Sequence, residues 1–147
     1  MNLFGLLTIS GTALLAERER AEVVASNLAN AETTRTPDGG PYTRKHVVFA
    51  AERPFGLPFG QQLATMVDFS ARGVQVDSVL NDPTPPIRRF DPGHPDADAD
   101  GYVSSPAINP VEEEVNLMGA ARSYQLNASA VQSTKNMIQS SIDILKS

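Results

Sequence analysis

The prolines decide where this chain can be helical. All eleven fall between Pro37 and Pro110, and the segments before and after contain none. A proline inside a helix removes a backbone hydrogen bond and clashes with the preceding turn. Long helices are therefore confined to the two ends, and the middle is left irregular or β-rich.

Both ends carry apolar groups at helical spacing. Over residues 3 to 30, Leu7, Leu14, Ala21 and Leu28 recur seven apart, with Phe4, Gly11 and Ala25 in the alternate places and Arg18 interrupting. A seven-residue repeat sustained over that length predicts a coiled-coil seam. At 1.5 Å per residue the helix would be about 40 Å long. At the other end Asn109 is placed to cap, Pro110 suits the first helical position, and Glu112 completes a capping-box pattern. Glu112, Glu113 and Glu114 read as first-turn charges, which the helix dipole favours. Leu117, Ala121, Tyr124, Ala128, Val131, Lys135, Ile138, Ile142 and Leu145 then step by four and three, and only Lys135 breaks the stripe. The spacing predicts one helix from Pro110 to Leu145.

Two such helices predict an antiparallel hairpin. Its seams are thin, rich in alanine and serine, and leave faces such as Val111, Val115 and Met118 for helices of other subunits. Between them, "YTRKHVVFAAE" (42–52), "TMVDFSA" (65–71) and "GVQVDSVL" (73–80) predict short strands, and "PPIRRFD" (85–91) an edge strand. The expected fold is α+β: long N- and C-terminal helices forming a coiled-coil-like hairpin, with a small β-rich domain inserted. The expected division is 1–35, 36–108 and 109–147.

Composition closes off several functions. The net charge is −5, with twelve lysines and arginines and no basic run, so the cationic footprint that nucleic acid requires is missing. With no cysteine, disulfides, thiolate zinc sites and thiol nucleophiles are excluded. The opening "MNLFGLLTISGTALLAERERA" lacks the basic start of a secretory signal, and Thr8, Ser10, Gly11 and Thr12 break its apolar run. It is also shorter than the roughly 20 apolar residues a bilayer takes. Neither a cleaved signal nor membrane insertion is expected.

"DADADGYV" (96–103) looks like the first two-thirds of an EF-hand loop, with Asp96, Asp98, Asp100 and Gly101 in place. Such a loop closes with a bidentate glutamate at its twelfth position. Here that position is Ala107, just after Pro106, and the proline-rich stretch before it allows no entering helix. The reading is an Asx-rich turn, with no metal or other cofactor. Catalysis has little footing. His46 and His94 lack a metal-ligand partner at helical spacing, and His94 near Asp91 and Asp96 reads as a turn histidine. Gly39–Gly40 is a turn, and the Asn127–Ala128–Ser129 sequon falls on a helix.

Three stretches carry a resemblance. "SNLANAETTRTPDGGPYTRKHVVF" (26–49), "DPTPPIRRFDPGHPDADADGYV" (82–103) and "VEEEVNLMGAARSYQLNASAVQSTKNM" (111–137) closely resemble bacterial flagellar basal-body rod proteins of the proximal-rod type. Glu114 stands where that family leads one to expect an apolar residue, and segment 53–65 is variable ground. The resemblance implies a structural protein and not an enzyme. It would be exported through the flagellar type III apparatus and self-assemble helically into the torque-carrying rod of the periplasm. The terminal helices, partly disordered until packed, would line the inner tube wall with the β-rich part outside. Implied partners are other proximal and distal rod proteins and the proteins at the junction of the MS ring and export gate. The assembly interface would comprise Phe4, Leu7, Leu14, Ala21, Ala25, Leu28 and Asn30, with Leu117, Ala121, Tyr124, Ala128, Val131, Ile138, Ile142 and Leu145. The competing reading is a secreted helical adhesin or translocator with a cation-tuned loop.

Overall fold

A computed structural model describes residues 3–51 and 73–146, with the side chains of 145 and 146 outside that description. The order of elements is α1 (Leu3–Ala29), β1 (Lys45–Ala51), β2 (Val74–Asn81), β3 (Ile87–Phe90), β4 (Tyr102–Ser105) and α2 (Pro110–Lys146). The class is α+β, with helices at both proline-free ends. The expected strand 65–71 and the turn that follows it lie outside the described residues.

The chain forms two compact units. One combines residues 1–19, 49–77 and 121–147, and the other residues 20–48 and 78–120. In the first, the Val74 N–H at the start of β2 donates to the Thr12 hydroxyl of α1 at 3.1 Å. Ser10, Ala16 and Thr134 are buried there.

The second unit is organised by turns. β3 and β4 form an antiparallel hairpin in which Ile87, Arg88, Arg89 and Phe90 pair with Ser105, Ser104, Val103 and Tyr102. The Asp loop joins these two strands. Asp98 accepts the backbone N–H of Asp100 at 3.0 Å and of Tyr102 at 2.8 Å on one oxygen, and the Arg88 guanidinium at 2.5 Å on the other. Those donors, led by the Tyr102 N–H, hold its carboxyl below the usual range. Asp96 accepts the Thr34 hydroxyl at 2.8 Å. Two of the carboxylates that mimic a calcium loop, Asp98 and Asp96, thus close the hairpin and tether it to the segment after α1. Gly101 makes this possible with φ +78°; a Cβ there would sit 3.0 Å from Phe90 Cε2 and 3.2 Å from Pro92 Cβ.

The most deeply buried helix positions lie beside the expected seams: Ser10, Ala16, Val24 and Asn27 on α1, and Glu113, Ala120 and Thr134 on α2. Half-buried positions include members of the expected seams, such as Leu14, Ala21, Leu117 and Val131, together with their neighbours Ala13, Arg20, Asn116 and Ala130. The expected seams thus stay partly covered, and the fully buried places beside them are mostly small or polar. Apolar patterning selects the greasiest stripe, whereas this chain buries mostly small and polar side chains deepest. Arg18 and Lys135 cease to be interruptions, because both are exposed.

Candidate functional site

The site is a buried polar clamp within the second unit, where the end of α1 meets the start of α2. Asn27 in the last turns of α1 is 1% exposed. Its Oδ1 accepts the Lys45 N–H at 2.9 Å and the Tyr42 hydroxyl at 3.2 Å. Its Nδ2 donates to the Lys45 carbonyl at 2.9 Å and to Glu113 Oε2 at 3.0 Å. One amide side chain therefore saturates its hydrogen-bonding capacity. It treats residue 45 as a strand would, taking both backbone groups, and this fixes where β1 begins.

Glu113 is the other half. Asn109 caps α2 through Oδ1 to the Val111 N–H at 3.1 Å. The first turn then carries three consecutive glutamates, pointing different ways. Glu113 points inward and is 1% exposed. Its Oε1 accepts Arg44 Nε at 3.0 Å and Arg44 Nη2, a two-pronged contact, and Asn116 Nδ2 at 3.3 Å. Burial pushes its carboxyl up, but the Asn27 amide, the Arg44 guanidinium and Asn116 outweigh that, leaving it below its ordinary value. An ionised glutamate in so closed a position is stable only because each oxygen has donors.

Arg44 links this clamp to a second carboxylate. Its Nη1 lies 3.9 Å from Asp82 Oδ2 and its Nη2 3.7 Å from Glu112 Oε1. Asp82 accepts the Thr84 hydroxyl at 2.6 Å and N–H at 2.9 Å, and its other oxygen is 2.8 Å from His46 Nε2. The Thr84 hydroxyl first, then His46, hold the Asp82 carboxyl well below the carboxylate range. Tyr42, Arg44 and His46 alternate along one extended segment, so a single face supplies all three contacts. No group of acidic or histidine side chains among the described residues could hold a metal ion, and no described helix is long and apolar enough to cross a membrane. The arrangement ties the end of α1, the start of β1 and the first turn of α2 together within this unit.

Sequence reasoning missed this clamp. It took Glu113 as one of three dipole charges, and it passed over Asn27 and Arg44. The available signal was an asparagine seven residues after Arg20, with an arginine in an alternating strand nearby.

The expected interface residues divide. Leu7, Leu14, Ala21, Leu28, Leu117, Val131 and Ile138 are half-buried, while Phe4, Ala25, Ala121, Tyr124, Ala128 and Ile142 are exposed. Leu145 has no described side chain. Asn30 is used locally: its Nδ2 donates to the Ser26 carbonyl at 2.9 Å and its Oδ1 accepts the Thr33 hydroxyl at 3.1 Å, closing the end of α1. Val111, Val115 and Met118 are bare, at 67%, 57% and 64% exposure.

Two long helices, an internal polar clamp and bare apolar faces define a packing subunit, and the comparisons say of what kind. Residues 7–35 match the family model "Flagella basal body rod protein", and residues 99–144 match "Flagellar basal body rod FlgEFG protein C-terminal". The chain is 38% identical to the flagellar basal-body rod protein FlgC of Borreliella burgdorferi, with 99% of each chain covered. It is 41% identical to that of Salmonella typhimurium over 94% of each, and 37% identical to that of Bacillus subtilis over 99% of this chain and all of the relative. The chain belongs to the flagellar basal-body rod protein family, in its FlgC branch.

Proposed function

We propose that this chain is a structural subunit of the flagellar proximal rod, self-assembling helically and transmitting motor torque across the periplasm. Family membership supports the rod role. The observation that carries assembly is the bare Val111, Val115 and Met118 face, directly behind a clamp that already satisfies the inward side of α2. Apolar faces of that kind mark interaction surfaces, and contacts between unlike patches propagate into a helical filament instead of closing on themselves.

In this reading the helices of residues 1–35 and 109–147 pair as a coiled-coil-like hairpin, and segment 36–108 stands outside them. The exposed members of the expected interface, such as Phe4, Tyr124 and Ile142, meet neighbouring subunits. Those neighbours are copies of the chain, other rod proteins, and proteins at the junction of the MS ring and export gate. Delivery is through the type III export apparatus. The chain acts by packing and carries no catalytic residue.

Deletion tests this directly. Cells lacking the chain are expected to be non-motile, with basal bodies that hold the membrane ring and no rod when imaged by cryo-electron tomography. Swimming by the deletion strain would overturn the rod role.

A further inference from the structure

β3 is an edge strand of a two-stranded hairpin, and all four of its side chains are exposed. Ile87, 57% exposed, shares one face of the strand with Arg89, while Phe90 lies on the other face with Arg88, its ring meeting Tyr102 edge-on at 5.3 Å. Edge strands are commonly protected by charge, but a strand guarding itself does not also present a bare isoleucine beside its arginine. Arg88 is engaged by Asp98 and by the Tyr102 ring, whose centroid is 5.0 Å away. Arg89 is less committed: its nearest carboxylate, Asp91, is 3.6 Å away and its side chain is 68% exposed.

The same unit carries a surface of opposite charge. The outer face of α2 sets the bare Val111, Val115 and Met118 beside the exposed Glu112 and Glu114. Glu112 leans toward Arg44 at 3.7 Å, whereas Glu114 has no ion-pair partner among the described residues. One patch is apolar and basic, the other apolar and acidic, and they are different surfaces of one chain. That is the requirement for a head-to-tail contact between identical copies, with the charges setting its register.

We propose that β3 of one subunit docks on the Val111–Met118 face of α2 in a second copy of this chain, placing Arg89 against Glu114. The inference rests on the rod-subunit reading and assigns one of its contacts. Its occupant is a second copy because the chain itself supplies both complementary patches. The Glu114 that departs from the expected apolar residue then has a role, as the acceptor for that arginine.

The test uses the full chain in cells whose own copy is deleted. Arg89→Glu and Glu114→Arg are each expected to abolish swimming, and the two together to restore it. The chain has no cysteine, so disulfide trapping is clean. Ile87→Cys combined with Val115→Cys is expected to yield a ladder of multimers in isolated basal bodies, while either cysteine alone yields none. The trapping result decides should a charge variant fail to fold. A ladder confirms the contact; no ladder, or linkage to a different protein, overturns it. Normal swimming of the single charge variants also overturns it. Should the deletion strain itself swim, the rod reading fails instead, which separates the two.

Discussion

The Asn27 amide nitrogen lies 3.0 Å from Glu113 Oε2, joining the last turns of α1 to the first turn of α2 across 86 positions of sequence. The same two residues hold the start of β1 through Lys45 and Arg44. Three elements therefore meet at a polar joint, beside the small apolar core of Val24, Val103, Ile108 and Ala120. A joint of directed hydrogen bonds sets an angle more tightly than greasy contact does, which suits a part that must bear load.

Removing Arg44 leaves Glu113 buried without a counter-charge, with only the Asn27 and Asn116 amides as donors. Arg44→Met strands the Glu113 carboxylate, and breaking a buried pair in this way costs about 3–5 kcal/mol. Replacing both, as Arg44→Met with Glu113→Leu, is expected to recover most of the loss. Thermal unfolding followed by circular dichroism gives the double-mutant cycle. A double-variant loss equal to the sum of the two single losses would mean the two groups are not coupled.

Acid sensitivity follows from the same carboxylates. Glu113 and Asp82 are both held below their ordinary values in the folded chain. A group whose folded pKa is depressed adds stability above its unfolded pKa, and that contribution is lost as pH falls through the folded value. Stability should therefore be level from neutral pH down to about pH 5 and fall below the unfolded carboxylate range of roughly pH 4. Glu113→Gln should flatten part of that fall. An acid limb identical to that of the unaltered chain would remove Glu113 from the account.

How much could be read in advance depended on the kind of interaction. The helical ends followed from proline placement, and β1, β2 and β3 from alternation, because each of these is a local property. Which helix positions are most deeply buried did not follow. Ser10, Asn27, Glu113 and Thr134 are buried, yet a hydrophobicity pattern assigns them to water. Their burial is set by partners far away in sequence, such as Lys45 for Asn27. The Asp loop was legible as a turn through its missing twelfth ligand at Ala107. That its carboxylates reach Thr34 and Arg88 was not, since both partners come from outside the loop.

The loop's backbone makes a sharp comparison. Gly101→Ala must pay for a left-handed φ of +78° and for a Cβ 3.0 Å from Phe90, whereas Gly39→Ala, at φ +87° with open space around it, meets only the first cost. The backbone term alone is about 1 kcal/mol. Gly101→Ala is expected to lower the melting temperature clearly more than Gly39→Ala. Equal shifts would mean that the Phe90 ring swings aside freely.

Calcium offers a test of the Asp loop. Asp98 already accepts two backbone N–H groups and an arginine, and Asp96 a threonine hydroxyl. Titration calorimetry should detect no site tighter than about 10⁻⁴ M, the weak end of such loops. Asp98→Asn, which keeps the Oδ1 acceptor, should leave motility near normal. A tighter site, or folding that depends on calcium, would show that these oxygens are available to a cation after all.

The two stripes of α2 can be separated by charge. Ala120 is wholly buried, and Tyr124, one turn later, is 44% exposed. An aspartate at Ala120 places an isolated charge where no donor waits, at a cost of several kcal/mol. Ala120→Asp is therefore expected to lower the melting temperature of the purified chain and to abolish motility as a consequence. Tyr124→Asp puts its charge in water, so the isolated chain should melt as before. In the rod, a neighbouring helix would cover that carboxylate in every copy. Cells carrying Tyr124→Asp are expected to make and secrete the protein yet not swim. Normal swimming with an unchanged melt would take Tyr124 out of the interface. A lowered melt for Tyr124→Asp would instead assign it to the fold of the single chain.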